Sequence, residues 1–371
     1  MGFDGDDSVK MMVLNEDFLK DEYDESYSWR RPLLEAQRNV LSAFCSCEWE
    51  GHTVRLSSGE FMNAVVAGKV GNPELVVMHG FGNGLAFWAS NLDALTQSHR
   101  VFLLDWIGCA GSSRKHFQLG MSAEETENFF VDELRDCILQ MKESSELGFP
   151  FQKPFSILGH SLGGFLSCVF AETYPELVKD LVLACPVGIP RTPINKHPPA
   201  TAPLGKRLLF FVVFFLWRLN FTPQWFMRIG GNLFGKNLAL RFVKSRFPYM
   251  TEDQTKIMCD YLYWISIPPA SGEYAINHLL EPGAWARRPL VDRLPKLKIP
   301  VSFIYGDKDW MSWHHAGEVS KIMKSPAVVH IIEGGGHHSY MEAKDEFNAL
   351  VAQSLENDRA KISSLEELAN S

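Results

Sequence analysis

No apolar stretch in this 371-residue chain is long enough to span a bilayer. The most apolar run, Leu208 to Trp217 (LLFFVVFFLW), is ten residues bounded by Arg207 and Arg218, whereas a spanning helix needs about 20. The N-terminus reads as no targeting signal. Residues 1–26 hold nine acids against Lys10 and Lys20, but a secretory signal needs a basic start and a presequence avoids acids. Asp6 stands where a myristoylation site wants Ser or Thr. Positive charge is not in excess: 36 Lys+Arg face 44 Asp+Glu, for a net charge of −8. That excludes a globally basic nucleic-acid binder. The seven cysteines are odd in number and mostly in apolar surroundings, so they read as free thiols in a reducing compartment. Cys45-x-Cys47 is too tight for zinc and has no second pair. Gly82-x-Gly84 lacks the third glycine and the acid of a dinucleotide site. No metal or cofactor is expected. One absence is local: from Ile189 to Met250 there is no Asp or Glu, yet there are ten cations and twelve aromatic residues.

From about residue 50, strand-like and helix-like segments alternate. HTVRL (52–56) and FMNAVVAG (61–68) flank Ser57-Ser58-Gly59, a hairpin turn. Then come ELVVMHG (74–80), RVFLLDW (100–106), FSILGH (155–160), DLVLACP (180–186), VSFIYG (301–306) and AVVHIIEG (327–334). Short, β-branched runs of this kind suit parallel strands buried on both faces. Helical patterns lie between them, at Ala123 to Met141 and at Leu162 to Tyr174 before Pro175. The pattern predicts a doubly wound α/β sheet with a helical insertion between the sixth and seventh strands. The expected divisions are an acidic tail (1–27), a first core part (28–188), a helical cap (189–295), a second core part (296–357) and a polar tail (358–371).

Gly159-His160-Ser161-Leu162-Gly163 sits where the strand FSILGH turns into a helix. A serine at such a junction occupies a strained turn that lifts its Oγ toward substrate, and the helix start favours developing negative charge. A serine nucleophile needs a base, and the base needs an orienting acid. Gly334-Gly335-Gly336 precedes His337-His338 after the last strand; His337 is the chosen base and His338 the alternative. Asp309 follows VSFIYG by three residues and is the chosen acid, with Asp307 as runner-up. The oxyanion donors are expected from the backbone N–H groups of Leu162 and of Phe81, in the loop His79-Gly80-Phe81-Gly82. His79 is expected to brace that loop.

These residues resemble one subgroup of the α/β-hydrolase fold family. It contains the coactivator of adipose triglyceride lipase, an N-acylphosphatidylethanolamine lipase, and plant and fungal phospholipases and lysophosphatidic acid acyltransferases. The likeness runs from about residue 28 to 356 and includes HGFGNGLAFWASN (79–91), LLDWIGCAGSS (103–113), SAEETENFFVDEL (122–134), GHSLGG (159–164), GDKDWM (306–311) and GGGHHSYMEAKDEFN (334–348). The coactivator branch lacks the nucleophilic serine, which is present here as Ser161. The family's His-x4-Asp acyltransferase motif reads His337-x4-Glu342. Its Trp-rich N-terminal membrane segment is reduced to Trp29, followed by Arg30 and Arg31.

The resemblance implies a serine hydrolase of glycerophospholipid or lysophospholipid esters, with acyl transfer to a lysophospholipid as a second outcome. A regulatory binding protein of another lipase and a soluble esterase for small metabolites are the alternatives. The expected setting is cytoplasmic, docked on an anionic membrane or a lipid-droplet surface. Arg218, Arg228, Arg241 and Arg246 are the expected membrane-binding cations, since a basic apolar helix lies in the interface. No nucleic-acid partner is expected, and no protein partner is assigned.

Overall fold

Among the described residues, eight strands form one sheet in the order β1-β2-β4-β3-β5-β6-β9-β10. The computed structural model describes residues 27–143, 154–193 and 203–369, with side chains described as far as Glu356. The acidic stretch expected at the start lies almost wholly outside the described residues. β1 (Trp49–Arg55) and β2 (Phe61–Ala67) pair antiparallel around a turn in which Gly59 has φ +84°. β2 also runs antiparallel to β4 (Arg100–Leu104). The pairings among β3 (Glu74–Met78), β4, β5 (Phe155–His160), β6 (Val178–Ala184), β9 (Val301–Gly306) and β10 (Ala327–Ile332) are all parallel. β7 (Leu280–Glu281) and β8 (Trp285–Ala286) form a separate two-stranded ribbon inside the insertion, where the sequence pattern predicts no strand.

Successive side chains on a strand point to opposite faces, so the apolar strands feed two cores. Val76, Met78, Phe102 and Leu104 pack on one side with Phe130, Leu134 and Phe165 from the Ala123–Glu143 and Leu162–Thr173 helices. Leu75, Val77, Val101 and Leu103 pack on the other with Trp88, Phe347 and Val351. β10 departs from the expectation of two buried faces. It is the edge strand, and only Ile332 is buried along it.

An N-terminal helix, Arg30–Phe44, buries Leu33, Leu34, Val40 and Leu41 in the second core. Arg30 donates to Gly111 O and Thr53 Oγ1 and lies over the Phe61 ring. Trp29 lies against the Arg114 guanidinium. These residues are therefore tied into the protein, where the resemblance would have placed a membrane segment. At the other end, the helix Lys344–Ala369 runs straight through the division expected at 357/358.

Between β6 and β9 the helices Leu204–Arg218, Pro223–Ile229, Gly231–Arg246 and Glu252–Ser266 follow one another. The last carries a capping box, Thr251 with Gln254, and packs on the N-terminal helix and on Gly231–Arg246. Leu204, Leu208, Phe211 and Phe215 recur at helical spacing along Leu204–Arg218 and are all exposed. No helix among the described residues is long and apolar enough to cross a membrane.

Candidate active site

The carboxyl ends of β3, β5, β6, β9 and the loop after β10 meet around Ser161. This serine links β5 directly to the Leu162–Thr173 helix with φ +53° and ψ −117°. A side chain there is strained by about 1–3 kcal/mol, a cost the surrounding packing must offset. The flanking glycines show why the turn is so tight. A Cβ on Gly159 would meet Ser167 Oγ at 2.6 Å, and one on Gly163 would meet the His79 carbonyl at 2.3 Å.

His337 Nε2 lies 3.0 Å from Ser161 Oγ, and its Nδ1 lies 3.0 and 3.1 Å from the two Asp309 carboxylate oxygens. A carboxylate only accepts, so Nδ1 carries the proton and Nε2 faces the serine hydroxyl as an acceptor. Asp309 Oδ1 also accepts the Met311 N–H at 3.0 Å, and this carboxylate is fully buried. The structure thus brings together Ser161, His337 and Asp309.

The two runners-up sit elsewhere. Asp307 accepts the Gly334 N–H at 2.7 Å, and the Lys308 ammonium holds its carboxyl below the ordinary range. His338 turns away from Ser161 and accepts from Arg246 Nε at 3.0 Å through Nδ1. Burial, with the neighbouring His337 and Arg246, holds its pKa well below the usual value. Glu342 accepts the Gly336 N–H at 2.5 Å, so the last position of the His-x4-Glu pattern braces the glycine turn that carries His337.

The loop after β3 closes over the serine. A Cβ on Gly80 would lie 3.1 Å from Ser161 Cβ. The N–H groups of Phe81 and Leu162 have no protein acceptor among the described residues. His79 donates from Nδ1 to the Gly80 carbonyl and accepts the Trp106 N–H at Nε2, and burial lowers its pKa. Its role in the structure is bracing.

Sequence reasoning missed several supports. His160 donates through Nε2 to the His337 carbonyl at 2.8 Å, and burial together with His337 and His338 holds its pKa well below the ordinary value. It occupies the variable position of Gly-x-Ser-x-Gly, where the pattern carries no signal. Asp105, fully buried, accepts from Leu85 N, Gly111 N and Asn63 Nδ2, tying the loop after β3 to the loop after β4. Cys185, at φ +48°, brings its sulfur within 4.8 Å of ligand-type atoms of Asp309 and His337. Cys45, Cys47 and Asp93 form a second group of that size.

Two of the four expected membrane cations are engaged within the protein. Arg228 is half-buried, pairs with Glu273 and donates to the Ser266 and Pro268 carbonyls. Its own stretch, Ile189 to Met250, has no acid, but Glu273 reaches it from outside that stretch. Arg246 is likewise half-buried on His338. Arg218 and Arg241 remain exposed.

A family model described as the α/β-hydrolase fold matches residues 73–344. A probable 1-acylglycerol-3-phosphate O-acyltransferase of Oryza sativa subsp. japonica is 33% identical over 80% of this chain and 71% of its own length. The 1-acylglycerol-3-phosphate O-acyltransferase ABHD5 of Homo sapiens is 31% identical, covering 86% of this chain and 88% of that one. A (lyso)-N-acylphosphatidylethanolamine lipase of Homo sapiens is 32% identical over 75% and 78%. Among solved structures, a bacterial membrane phospholipase A superposes with a TM-score of 0.60 at 20% identity, covering 93% of this chain and 96% of that one. At that identity the likeness concerns the fold alone.

Proposed function

The chain belongs to the α/β-hydrolase family, among relatives that include lipid acyltransferases and a lipase, and on that premise we propose that it is a serine hydrolase of glycerophospholipid or lysophospholipid acyl esters. The observation that carries this reading is the hydrogen-bond chain from Ser161 Oγ through His337 to Asp309. In this reading Ser161 Oγ attacks the acyl carbonyl while His337 Nε2 takes its proton. The negative oxygen that forms is held by the N–H groups of Phe81 and Leu162, aided by the start of the Leu162–Thr173 helix. His337 then returns the proton to the leaving alcohol oxygen, and the acyl group stays on Ser161. Water attacks this ester with His337 again as base, or a lysophospholipid hydroxyl does so and the outcome is acyl transfer. Asp309 holds the imidazole in the required tautomer throughout.

Lipid access is assigned to the insertion. Leu208, Phe211, Phe215, Ile229, Leu233 and Phe234 are exposed, with Arg218 and Arg241 exposed on the same segment. An apolar face edged by cations suits an anionic bilayer or droplet surface, where each cation contributes about 1 kcal/mol.

Fluorophosphonate labelling followed by a lipid substrate screen tests the chemistry. Ser161→Ala is expected to lose both labelling and ester cleavage; full labelling of the variant at another serine would overturn the assignment. For docking, liposome flotation should rise with anionic lipid and drop in Phe211→Glu/Arg241→Glu. Binding indifferent to lipid charge and to that double substitution would refute it.

A further inference from the structure

A cavity of about 410 Å³ lies where the end of the Leu204–Arg218 helix meets the start of the Ala123–Glu143 helix. That volume falls within the roughly 300–1,000 Å³ typical of small-ligand sites. Two guanidiniums line it, Arg218 and Arg287, and no carboxylate does so among the described residues. Arg218 is exposed and has no acidic partner among the described residues. Arg287 donates to the Asn277 carbonyl at 3.3 Å, and its other terminal nitrogen lies 3.7 Å from Glu281. Ala123, which also lines the cavity, opens a 21-residue helix. Ser122 and Glu125 cap each other there, leaving the Ala123 N–H without an acceptor among the described residues. Cations and a helix start together favour an anion.

A second, independent feature narrows the ligand. Asn277 lines the same cavity, is only 6% exposed, and its Oδ1 has no hydrogen-bond partner. Its Nδ2 makes one long bond, 3.4 Å, to Asn220 Oδ1. His278 beside it is saturated, accepting from Gly120 N–H and donating to the Tyr274 carbonyl. A buried acceptor left unpaired is costly, and a bare anion cannot satisfy it. A hydroxyl carried next to a phosphate can.

Packing ties one wall of the cavity to the serine turn. Arg287 follows Ala286, and a Cβ on Gly188 would stand 2.7 Å from Ala286 Cβ. The neighbouring Val187 N–H bonds the Ser161 carbonyl at 3.3 Å. Arg218 sits on the helix whose exposed apolar face is assigned to lipid. We propose that this cavity binds a hydroxylated phosphate ester, the glycerophosphate headgroup of a lysophospholipid. The assignment to a lipid rests on the lipid-hydrolase reading above; the phosphate-ester site itself does not.

Titration calorimetry on the full chain carrying Ser161→Ala, which turns nothing over, tests it. The probes are inorganic phosphate, sn-glycerol 3-phosphate and a short-chain 1-acylglycerol 3-phosphate. Glycerol 3-phosphate should bind several-fold tighter than phosphate, because its carbon-borne hydroxyls reach Asn277 while its phosphate stays on the guanidiniums, which a P–OH of inorganic phosphate does not do at the same time. Arg287→Gln should weaken it about tenfold or more, with partial recovery in Arg287→Lys. Asn277→Asp should abolish binding by setting a carboxylate against the phosphate, and Arg287→Gln carries the test if that variant fails to fold by circular dichroism. The acylated probe should bind at least tenfold tighter than glycerol 3-phosphate. Equal affinities would overturn the lipid assignment, and no binding, or binding indifferent to Arg287 and Asn277, would overturn the site. Fluorophosphonate labelling of the wild-type chain is run alongside. Labelling without phosphate-ester binding sinks this site alone, whereas binding without labelling sinks the serine-hydrolase reading alone.

Discussion

Replacing Asp309 with asparagine changes one atom and should disable the proposed chemistry. The carboxylate accepts two different N–H groups: His337 Nδ1–H at 3.0 and 3.1 Å and the Met311 N–H at 3.0 Å. Oδ1 takes part in both contacts, and Oδ2 is the second acceptor facing His337 Nδ1. If the asparagine oxygen keeps the Oδ1 place beside the Met311 N–H, its NH2 group stands where Oδ2 was, 3.1 Å from His337 Nδ1, donor against donor. The imidazole then keeps its Nδ1 lone pair toward the new amide and carries its proton on Nε2. That nitrogen points at Ser161 Oγ from 3.0 Å and can no longer take the hydroxyl proton. The imidazolium of the transition state also loses its buried counter-charge. Substitutions of this kind cost about 10⁴ in kcat, or about 5.5 kcal/mol at 1.36 kcal/mol per tenfold. The assay is turnover of a p-nitrophenyl acyl ester beside the second-order rate of fluorophosphonate labelling, with circular dichroism to confirm folding. Both rates should fall together while KM moves little. Asp307→Asn should stay within a few-fold of wild type, because Asp307 holds only the glycine turn. A loss smaller than tenfold in a folded Asp309→Asn protein would refute the orientation argument.

Glu342→Gln should retain hydrolysis and transfer, since its amide oxygen still accepts the Gly336 N–H, whereas Glu342→Ala should lose about 1–3 kcal/mol of loop anchoring and some tenfold or more in kcat. Equal losses in Gln and Ala, measured on the same ester, would mean that the negative charge itself matters. Stability should also fall in mild acid. Burial holds the pKa of His79, His160 and His338 below the ordinary value near 6.5. The unfolded chain therefore binds more protons, so the stability is complete above about pH 6.5 and is lost as the pH drops below it. Each ring adds to the loss as the pH falls, and urea unfolding between pH 7.5 and 5.5 reads their sum. A flat profile, or a slope unchanged in His338→Gln, would show that these rings titrate normally in the folded state.

The fold was legible because its signal is local. Buried parallel strands such as ELVVM and RVFLL must be short, apolar and β-branched, and the helices between them must carry one apolar face. A glycine-flanked serine at a strand-to-helix junction is legible for the same reason, because only that residue pattern fits the turn. The choice between His337 and His338, or between Asp307 and Asp309, was a matter of one or two positions. Only the structure aims one ring at Ser161 and the other at Arg246. Tertiary structure likewise decided which cations stay free. Arg228 and Arg218 look alike in an acid-free segment, but Glu273 reaches the first from outside that segment and leaves the second exposed. His160 and Asp105 hold loops that are far apart in sequence, at positions where no motif demands them. Periodicity and turn chemistry are properties of neighbours along the chain. Hydrogen-bond partners and burial are properties of neighbours in space, and these only the folded chain supplies.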